Sequence, residues 1–146
     1  MIFTFETQSG VSIPRSILLA DLQGAVAYLQ RRGMKIGANE LAVIALDRRE
    51  ARLLNWKARR RRYAANVLSF NYGTQAEIVI APAVIRNEAK AAGNSPREQL
   101  RWMVVHGLVH IVGIHHETNT QTLRRFRDIE LRLLRKLGVT LRHYYS

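Results

Sequence analysis

Four of the chain's five histidines fall between residues 106 and 116, and two of them, His106 and His110, are four residues apart. Apart from these histidines, residues 102–114 are almost wholly apolar, which predicts a helix buried on nearly every side. Side chains four residues apart project from the same face of a helix. A single histidine on an apolar face is most often a hydrogen-bonded core residue. A pair at this spacing is a pair of metal ligands about as often as it is a pair of such core residues.

Gly113 follows His110 by three residues, and glycine is the residue that most easily ends a helix in the left-handed conformation. The chain can then turn back and bring His116 toward His106 and His110. Three converging imidazoles with an open fourth position are typical of a catalytic metal site. We therefore predict that these three histidines are metal ligands. His115 is ambiguous, since it could replace His116, support the ligands or contact substrate.

Such a site predicts hydrolysis. Neutral imidazoles leave the full charge of a divalent ion in place, and the ion then lowers the pKa of a bound water to roughly 7. The chain has no cysteine, so the ligands must be nitrogen or oxygen atoms. We expect one Zn²⁺ per chain, although nickel, cobalt and copper also bind sites of three imidazoles.

The charge balance predicts a polyanionic partner. Lysine and arginine number 23 against 11 aspartates and glutamates, which gives a formal net charge of +12. Arginine supplies most of the positive charge, and its planar guanidinium matches phosphate in a bidentate way. Four arginines stand in succession at residues 59–62. We favour nucleic acid over an anionic membrane surface or a merely solubilising charge.

The spacing His-x-x-x-His-x-x-Gly-x-x-His is shared with the metzincin peptidases. In those enzymes the residue after the first histidine is a glutamate that acts as general base. Gly107 occupies that position here and can transfer no proton. All three methionines precede His116, so the Met-turn that follows the third ligand in metzincins is missing as well. Both departures count against a peptidase.

At 146 residues the chain is long enough for one domain with its own core. We predict an α+β (mixed α/β) fold, with a small mixed four-stranded sheet, about five helices and the histidine-bearing helix packed on one face. The turn at residues 71–74 is too short for a parallel crossover. The predicted strands are residues 2–6, 41–46, 67–70 and 78–81, and the predicted helices are residues 15–31, 82–92 and 120–137, together with one helix capped by Asp47 and one started by the capping box at residues 95–98.

Two features of the sequence argue against a membrane association. The N terminus lacks the basic region and apolar run of a signal peptide. The longest uncharged apolar run, residues 102–114, is too short to cross a bilayer. We expect a soluble cytoplasmic protein without a membrane partner.

Taken together, these motifs resemble the YbeY family of bacterial metal-dependent endoribonucleases. The family's signature, His-Gly-x-x-His-x-x-Gly-x-x-His, fits His106, Gly107, His110, Gly113 and His116. The likeness extends over about residues 40–138, through Leu54-Asn55 followed by Arg59, through residues 66–70 (Asn-Val-Leu-Ser-Phe), and through residues 77–80 (Glu-Ile-Val-Ile).

The resemblance implies that residues 1–146 form a single endoribonuclease domain. The implied enzyme is zinc-dependent and specific for single-stranded RNA, and acts in 16S rRNA 3′-end maturation and in ribosome quality control. Contact with the ribosome or a ribosomal protein is also implied. Arg59 matches the family's functional arginine and would hold the scissile phosphate, with Arg60, Arg61, Arg62 and His115 as further substrate-binding candidates. The alternative is a non-catalytic rRNA-binding assembly factor with a structural metal.

Three departures from the family's pattern leave details open. His115 stands where the family usually has aspartate, and Ala65 stands where threonine is common. The last helix is strongly basic here and often acidic in the family, so it either enlarges an RNA-binding surface or is a solvated face. The general base is also open: Glu117, the metal-bound hydroxide alone, or attack by the RNA 2′-hydroxyl are all compatible with the sequence.

Overall fold

The computed structural model describes residues 1–112 and 120–144. Within this part of the chain, four strands and five helices form an α+β fold, which confirms the predicted class. In chain order they are β1 (Ile2–Thr7), α1 (Arg15–Arg31), β2 (Glu40–Ala45), α2 (Arg48–Arg59), β3 (Val67–Asn71), β4 (Gln75–Ile80), α3 (Pro82–Ala92), α4 (Pro96–Ile111) and α5 (Thr120–Lys136).

The four strands form one mixed sheet in the order β1-β2-β4-β3. β2 pairs in parallel with β1 and with β4, whereas β3 pairs antiparallel with β4. The mixed order predicted from the short turn at residues 71–74 is therefore confirmed. β4 begins at Gln75, three residues before the predicted strand, because Gln75 already pairs with Glu40 of β2 in the parallel register. β3 lies at an edge of the sheet.

Helix α4 carries the two histidines and is buried along most of its length, with Val104, Val105, Leu108 and Val109 fully buried. Gly107 faces the sheet. A Cβ atom at this position would lie 2.8 Å from Ile78 Cγ2 and 3.1 Å from Ser69 Oγ. Only a glycine therefore lets α4 approach β3 and β4 this closely.

Helix α5 follows the predicted bounds closely and packs its apolar face inward. Apolar residues at helical spacing in this segment predict that Leu123, Phe126, Leu133, Leu134 and Leu137 point inward. Phe126, Leu133 and Leu134 are indeed buried. The prediction for Leu123 is wrong, since this side chain is 51% exposed. It lies in the first turn of α5, and the described helix meets the core only from Phe126 onward.

A buried ion pair joins α4 to α1. Arg101 donates from Nε and Nη2 to the two carboxylate oxygens of Asp21, at 2.8 and 2.9 Å, and from Nη1 to Glu98 at 3.1 Å. The hydrogen bonds that Arg101 donates to Asp21 raise the pKa of Arg101, so the guanidinium stays charged although it is buried. The predicted cap is present, because the Ser95 side chain accepts from the Glu98 N–H; the Glu98 carboxylate itself accepts from Arg101 and from the Thr140 N–H.

Among the described residues, no helix combines the length and the apolar character needed to cross a membrane.

Candidate active site

His106 and His110 lie one turn apart on α4, and their Nε2 atoms are 3.1 Å from each other. Two nitrogen ligands of a tetrahedral zinc ion, each about 2.0–2.1 Å from the metal, stand about 3.3 Å apart. The pair therefore fits two positions of such a site with little adjustment. His106 is half-buried and His110 is exposed, so the shared edge of the two rings is reachable from solvent.

His106 is held from behind by helix α5. Its Nδ1 atom lies 3.0 Å from Oε2 of Glu130, a side chain with 0% exposure. The other carboxylate oxygen of Glu130 accepts a hydrogen bond from Nε1 of Trp102. A neutral His106 that donates from Nδ1 presents a lone pair on Nε2, and a carboxylate in this position makes the imidazole a stronger ligand.

Phe126 completes this support. Its ring contacts both imidazoles, with centroid distances of 5.2 Å to His106 and 4.6 Å to His110. Neither Glu130 nor Phe126 was identified as a site residue from the sequence. A signal existed, because Glu130 is the acidic residue on the inward face of α5, among Phe126, Ile129 and Leu133.

A cavity of about 440 Å³ brings Arg59 together with the histidine pair. Arg59 is fixed at the edge of the sheet, where its Nη2 donates to the Ser69 carbonyl at 3.3 Å and its guanidinium lies 5.1 Å from the Phe70 ring centroid. The described residues that line the cavity are Arg59, Asn66, Val67, Leu68, Ser69, Asn71, His106, His110 and Ile111.

Two side chains of β3 donate hydrogen bonds to the backbone of α4 on the cavity side. Ser69 Oγ donates to the Gly107 carbonyl at 3.0 Å, and Asn71 Nδ2 donates to the Ile111 carbonyl at 3.1 Å. The spacings match, because two strand residues span about 6.6 Å and four helical residues about 6 Å. These two side chains fix the helical turn that carries His110, and the sequence did not predict that role.

The run of basic residues predicts a loop at residues 57–62, but this segment is only partly a loop. Helix α2 continues through Arg59, so Arg59 is its last residue, and the loop starts at Arg60. Arg60 and Arg62 lie against the ring of Trp56, with Cζ atoms 5.4 and 5.6 Å from its centroid. In the described lining of the cavity, Arg59 is present and Arg60, Arg61 and Arg62 are not.

The predictions for Gly113, His115, His116 and Glu117 lie outside the described residues. Within residues 1–112 and 120–144, no cluster of three or more histidine, cysteine or acidic side chains could hold a metal. His106 and His110 are therefore the two predicted ligands whose positions the structure gives, and His116 stays a prediction.

Arginines also line a second groove, of about 340 Å³, between the end of α1 and α5. Arg32 lies on one side, and Arg124, Arg125 and Arg132 lie on the other. Asp128 is the single acid among its described lining residues. The outer face of α5 is therefore a strongly basic surface.

The fold is similar to that of a protein from Thermotoga maritima whose solution structure is known. The TM-score is 0.62, and the likeness covers 94% of this chain and 92% of the other, at 17% sequence identity. This likeness concerns the architecture alone.

Sequence comparisons identify the family. A family profile described as endoribonuclease YbeY matches residues 4–138. A Bdellovibrio bacteriovorus protein named endoribonuclease YbeY is 30% identical over 118 residues, which cover 77% of this chain and 79% of the relative. An Aquifex aeolicus protein of the same name is 32% identical over 109 residues, which cover 70% and 73%. The chain therefore belongs to the endoribonuclease YbeY family.

Proposed function

We propose that this protein is a metal-dependent endoribonuclease that hydrolyses phosphodiester bonds of single-stranded RNA. The observation that carries the proposal is the cavity in which Arg59 and the two histidines of α4 meet. Membership of a family whose relatives are named endoribonucleases supports the same reaction.

His106 and His110 would hold the metal through Nε2, with His116 as the predicted third ligand. We propose one zinc ion per chain. When bound, zinc supplies Lewis-acid chemistry, since it polarises a phosphoryl oxygen and makes water acidic enough to react near neutral pH. Glu130 keeps the His106 ring in the orientation that this role requires, because it accepts from Nδ1 and leaves Nε2 toward the cavity.

Arg59 would bind the non-bridging oxygens of the scissile phosphate. A guanidinium matches two phosphate oxygens at once, and it stabilises the negative charge that increases in the transition state. The contacts with the Ser69 carbonyl and the Phe70 ring hold the side chain in place before substrate arrives. The cavity has the volume of a small-molecule site, which suits one nucleotide of a single strand better than a duplex.

The site does not favour a peptidase. The position after the first histidine faces β3 and β4 and has no room even for a Cβ atom, so the glutamate base of a metzincin cannot stand there. Among the described residues that line the cavity there is no carboxylate. For RNA, the attacking group is either water, with Glu117 as a candidate base, or the substrate's own 2′-hydroxyl.

We further propose that the substrate is rRNA of the small ribosomal subunit, in the cytoplasm, with cleavage in 16S rRNA 3′-end maturation and in ribosome quality control. The net charge of +12 and the arginine-lined groove on α5 support binding to a large folded RNA and contact with the ribosome.

The test is cleavage of a single-stranded RNA that spans a precursor 16S 3′ end, with elemental analysis of the purified protein. Arg59→Ala should lower kcat by about 10²–10³-fold with the fold intact, and His110→Ala should lose both metal and cleavage. Arg49→Ala is the matched control, because Arg49 is an exposed arginine on the same helix, about 15 Å along the axis. Equal cleavage by wild type and His110→Ala would refute the proposal, and rRNA binding without cleavage would favour the assembly factor.

A further inference from the structure

The two tryptophans of the chain have opposite environments. Trp102 is buried, with 6% exposure, whereas Trp56 on α2 is 40% exposed. Large aromatic side chains are normally buried for most of their surface, so an exposed tryptophan beside a charged loop calls for a physical reason.

The conformation of the loop after α2 places two arginines against the indole of Trp56. Arg60 adopts the left-handed conformation, with φ at 59°, and is the only residue other than glycine with a positive φ in the described chain. This conformation is unfavourable for a residue with a Cβ atom. It turns the chain so that Arg60 and Arg62 both lie against the Trp56 ring.

A buried side chain fixes this loop. Asn55 is 1% exposed, and its Nδ2 donates to the Tyr63 carbonyl at 2.8 Å. The Asn55 carbonyl in turn accepts from the Arg61 N–H at 3.3 Å. Both ends of the loop are therefore tied to one residue of α2, directly before Trp56.

This aromatic and basic surface adjoins the candidate active site. Trp56 and Arg59 are three residues apart on α2, so their side chains leave the helix at neighbouring positions. Arg59 lines the cavity that contains the histidines. Side chains three residues apart on a helix have Cβ atoms about 5–6 Å apart. We therefore expect a strand whose phosphate contacts Arg59 to place its next nucleotide near Trp56.

We infer that Trp56, with Arg60 and Arg62, forms a stacking platform for an unpaired base of the RNA strand next to the scissile phosphate. The inference rests on the proposed function, since it assumes that RNA is the substrate. Aromatic rings and guanidinium planes bind unstacked bases through their faces, whatever the base, whereas the faces of duplex bases are already covered. The platform thereby contributes to a preference for single strands without reading sequence.

The test uses the fluorescence of Trp56 and the affinity for short RNA, in EDTA to prevent cleavage. Single-stranded oligouridylate should quench the wild type. An abasic ribose-phosphate oligomer of the same length, which keeps the phosphates, should not, and neither should duplex RNA. In Trp56→Phe the remaining Trp102 should show no quenching.

Three variants separate stacking from apolar contact. Trp56→Phe should bind oligouridylate nearly as well as the wild type, because it keeps a flat aromatic face. Trp56→Leu and Trp56→Ala should bind on the order of 10-fold more weakly. Equal affinity of Trp56→Leu and wild type, or equal quenching by the abasic oligomer, would overturn the platform.

Failure of the platform and failure of the proposed function give different results. If Trp56→Ala binds and cleaves as the wild type does while His110→Ala is inactive, the platform is wrong and the endoribonuclease stands. If wild-type protein loaded with zinc cleaves no RNA but Trp56 is still quenched by oligouridylate, the proposed reaction is wrong and the platform stands as a binding site for unpaired bases alone.

Discussion

The Nδ1 atom of His106 lies 3.0 Å from the Oε2 atom of Glu130, whose side chain has no exposed surface. The contact joins α4, which carries two of the three predicted ligands, to α5. It sets which nitrogen of the His106 ring faces the cavity, and it places a negative charge where a bound cation would be stabilised.

We expect Glu130→Gln to lower zinc affinity by about 10–100-fold, because an amide is a weaker acceptor for the imidazole N–H than a carboxylate. The measurement is competition for zinc with a chelating dye. Asp128→Asn is the matched control, since it removes the same charge from an exposed position on α5. An affinity for Glu130→Gln that equals that of the control would contradict the orienting role.

Gly107→Ala should destabilise the protein by about 1–3 kcal/mol through overpacking against Ile78. A loss of stability would be informative, because replacing glycine by alanine inside a helix otherwise stabilises the helix by about 1 kcal/mol. Urea denaturation of Gly107→Ala, Ile78→Ala and the double variant gives the coupling. We expect Gly107→Ala to cost less when Ile78 is shortened; the same cost in both backgrounds would mean that the contact with Ile78 does not matter.

Asn55→Ala should loosen the basic loop. The part-buried hydrogen bond to the Tyr63 carbonyl is lost, at a cost of about 1 kcal/mol. Trypsin should then cut after Arg60, Arg61 or Arg62 faster than in the wild type. Cleavage at the exposed Arg31 serves as internal control, and unchanged rates at both places would show that the loop needs no such anchor.

Arg101→Met should lower the free energy of unfolding by about 3–5 kcal/mol, because it leaves the Asp21 carboxylate buried without its partner. The loss should be partly recovered in the double variant with Asp21→Leu, where no charge remains buried. Thermal and denaturant unfolding measure the stability of the single and the double variant. A double variant that is less stable than Arg101→Met would show that the remaining packing, and not the orphaned charge, causes the loss.

Local rules predicted most of the fold. Asp47 and Ser95 cap their helices because a short polar side chain satisfies free N–H groups wherever a helix starts, and the turn before β4 excluded a parallel crossover. The start of β4 was missed because its first three residues, Gln75, Ala76 and Glu77, form no apolar run. All three residues pair with β2, and Ala76 and Glu77 also pair with β3, which makes the segment a strand nevertheless.

Only those site residues that belong to a sequence motif could be predicted. The i,i+4 relation placed His106 and His110 on one face of a helix, and the family resemblance predicted Arg59, which lines the same cavity. The contact of Glu130 with His106, and the hydrogen bonds from Ser69 and Asn71 to α4, depend on which elements pack together. A sequence pattern within one element does not carry that information. Leu123 shows the same limit, because apolar periodicity does not tell where a helix first meets the core.

The dependence of His106 on α5 also sets an order of events in biosynthesis. Residue 130 leaves the ribosome after every other described residue that holds the histidine pair, so a nascent chain carries these imidazoles before the carboxylate that orients them. For the proposed endoribonuclease, His106 therefore reaches the orientation that metal binding requires only after α5 has packed against α4.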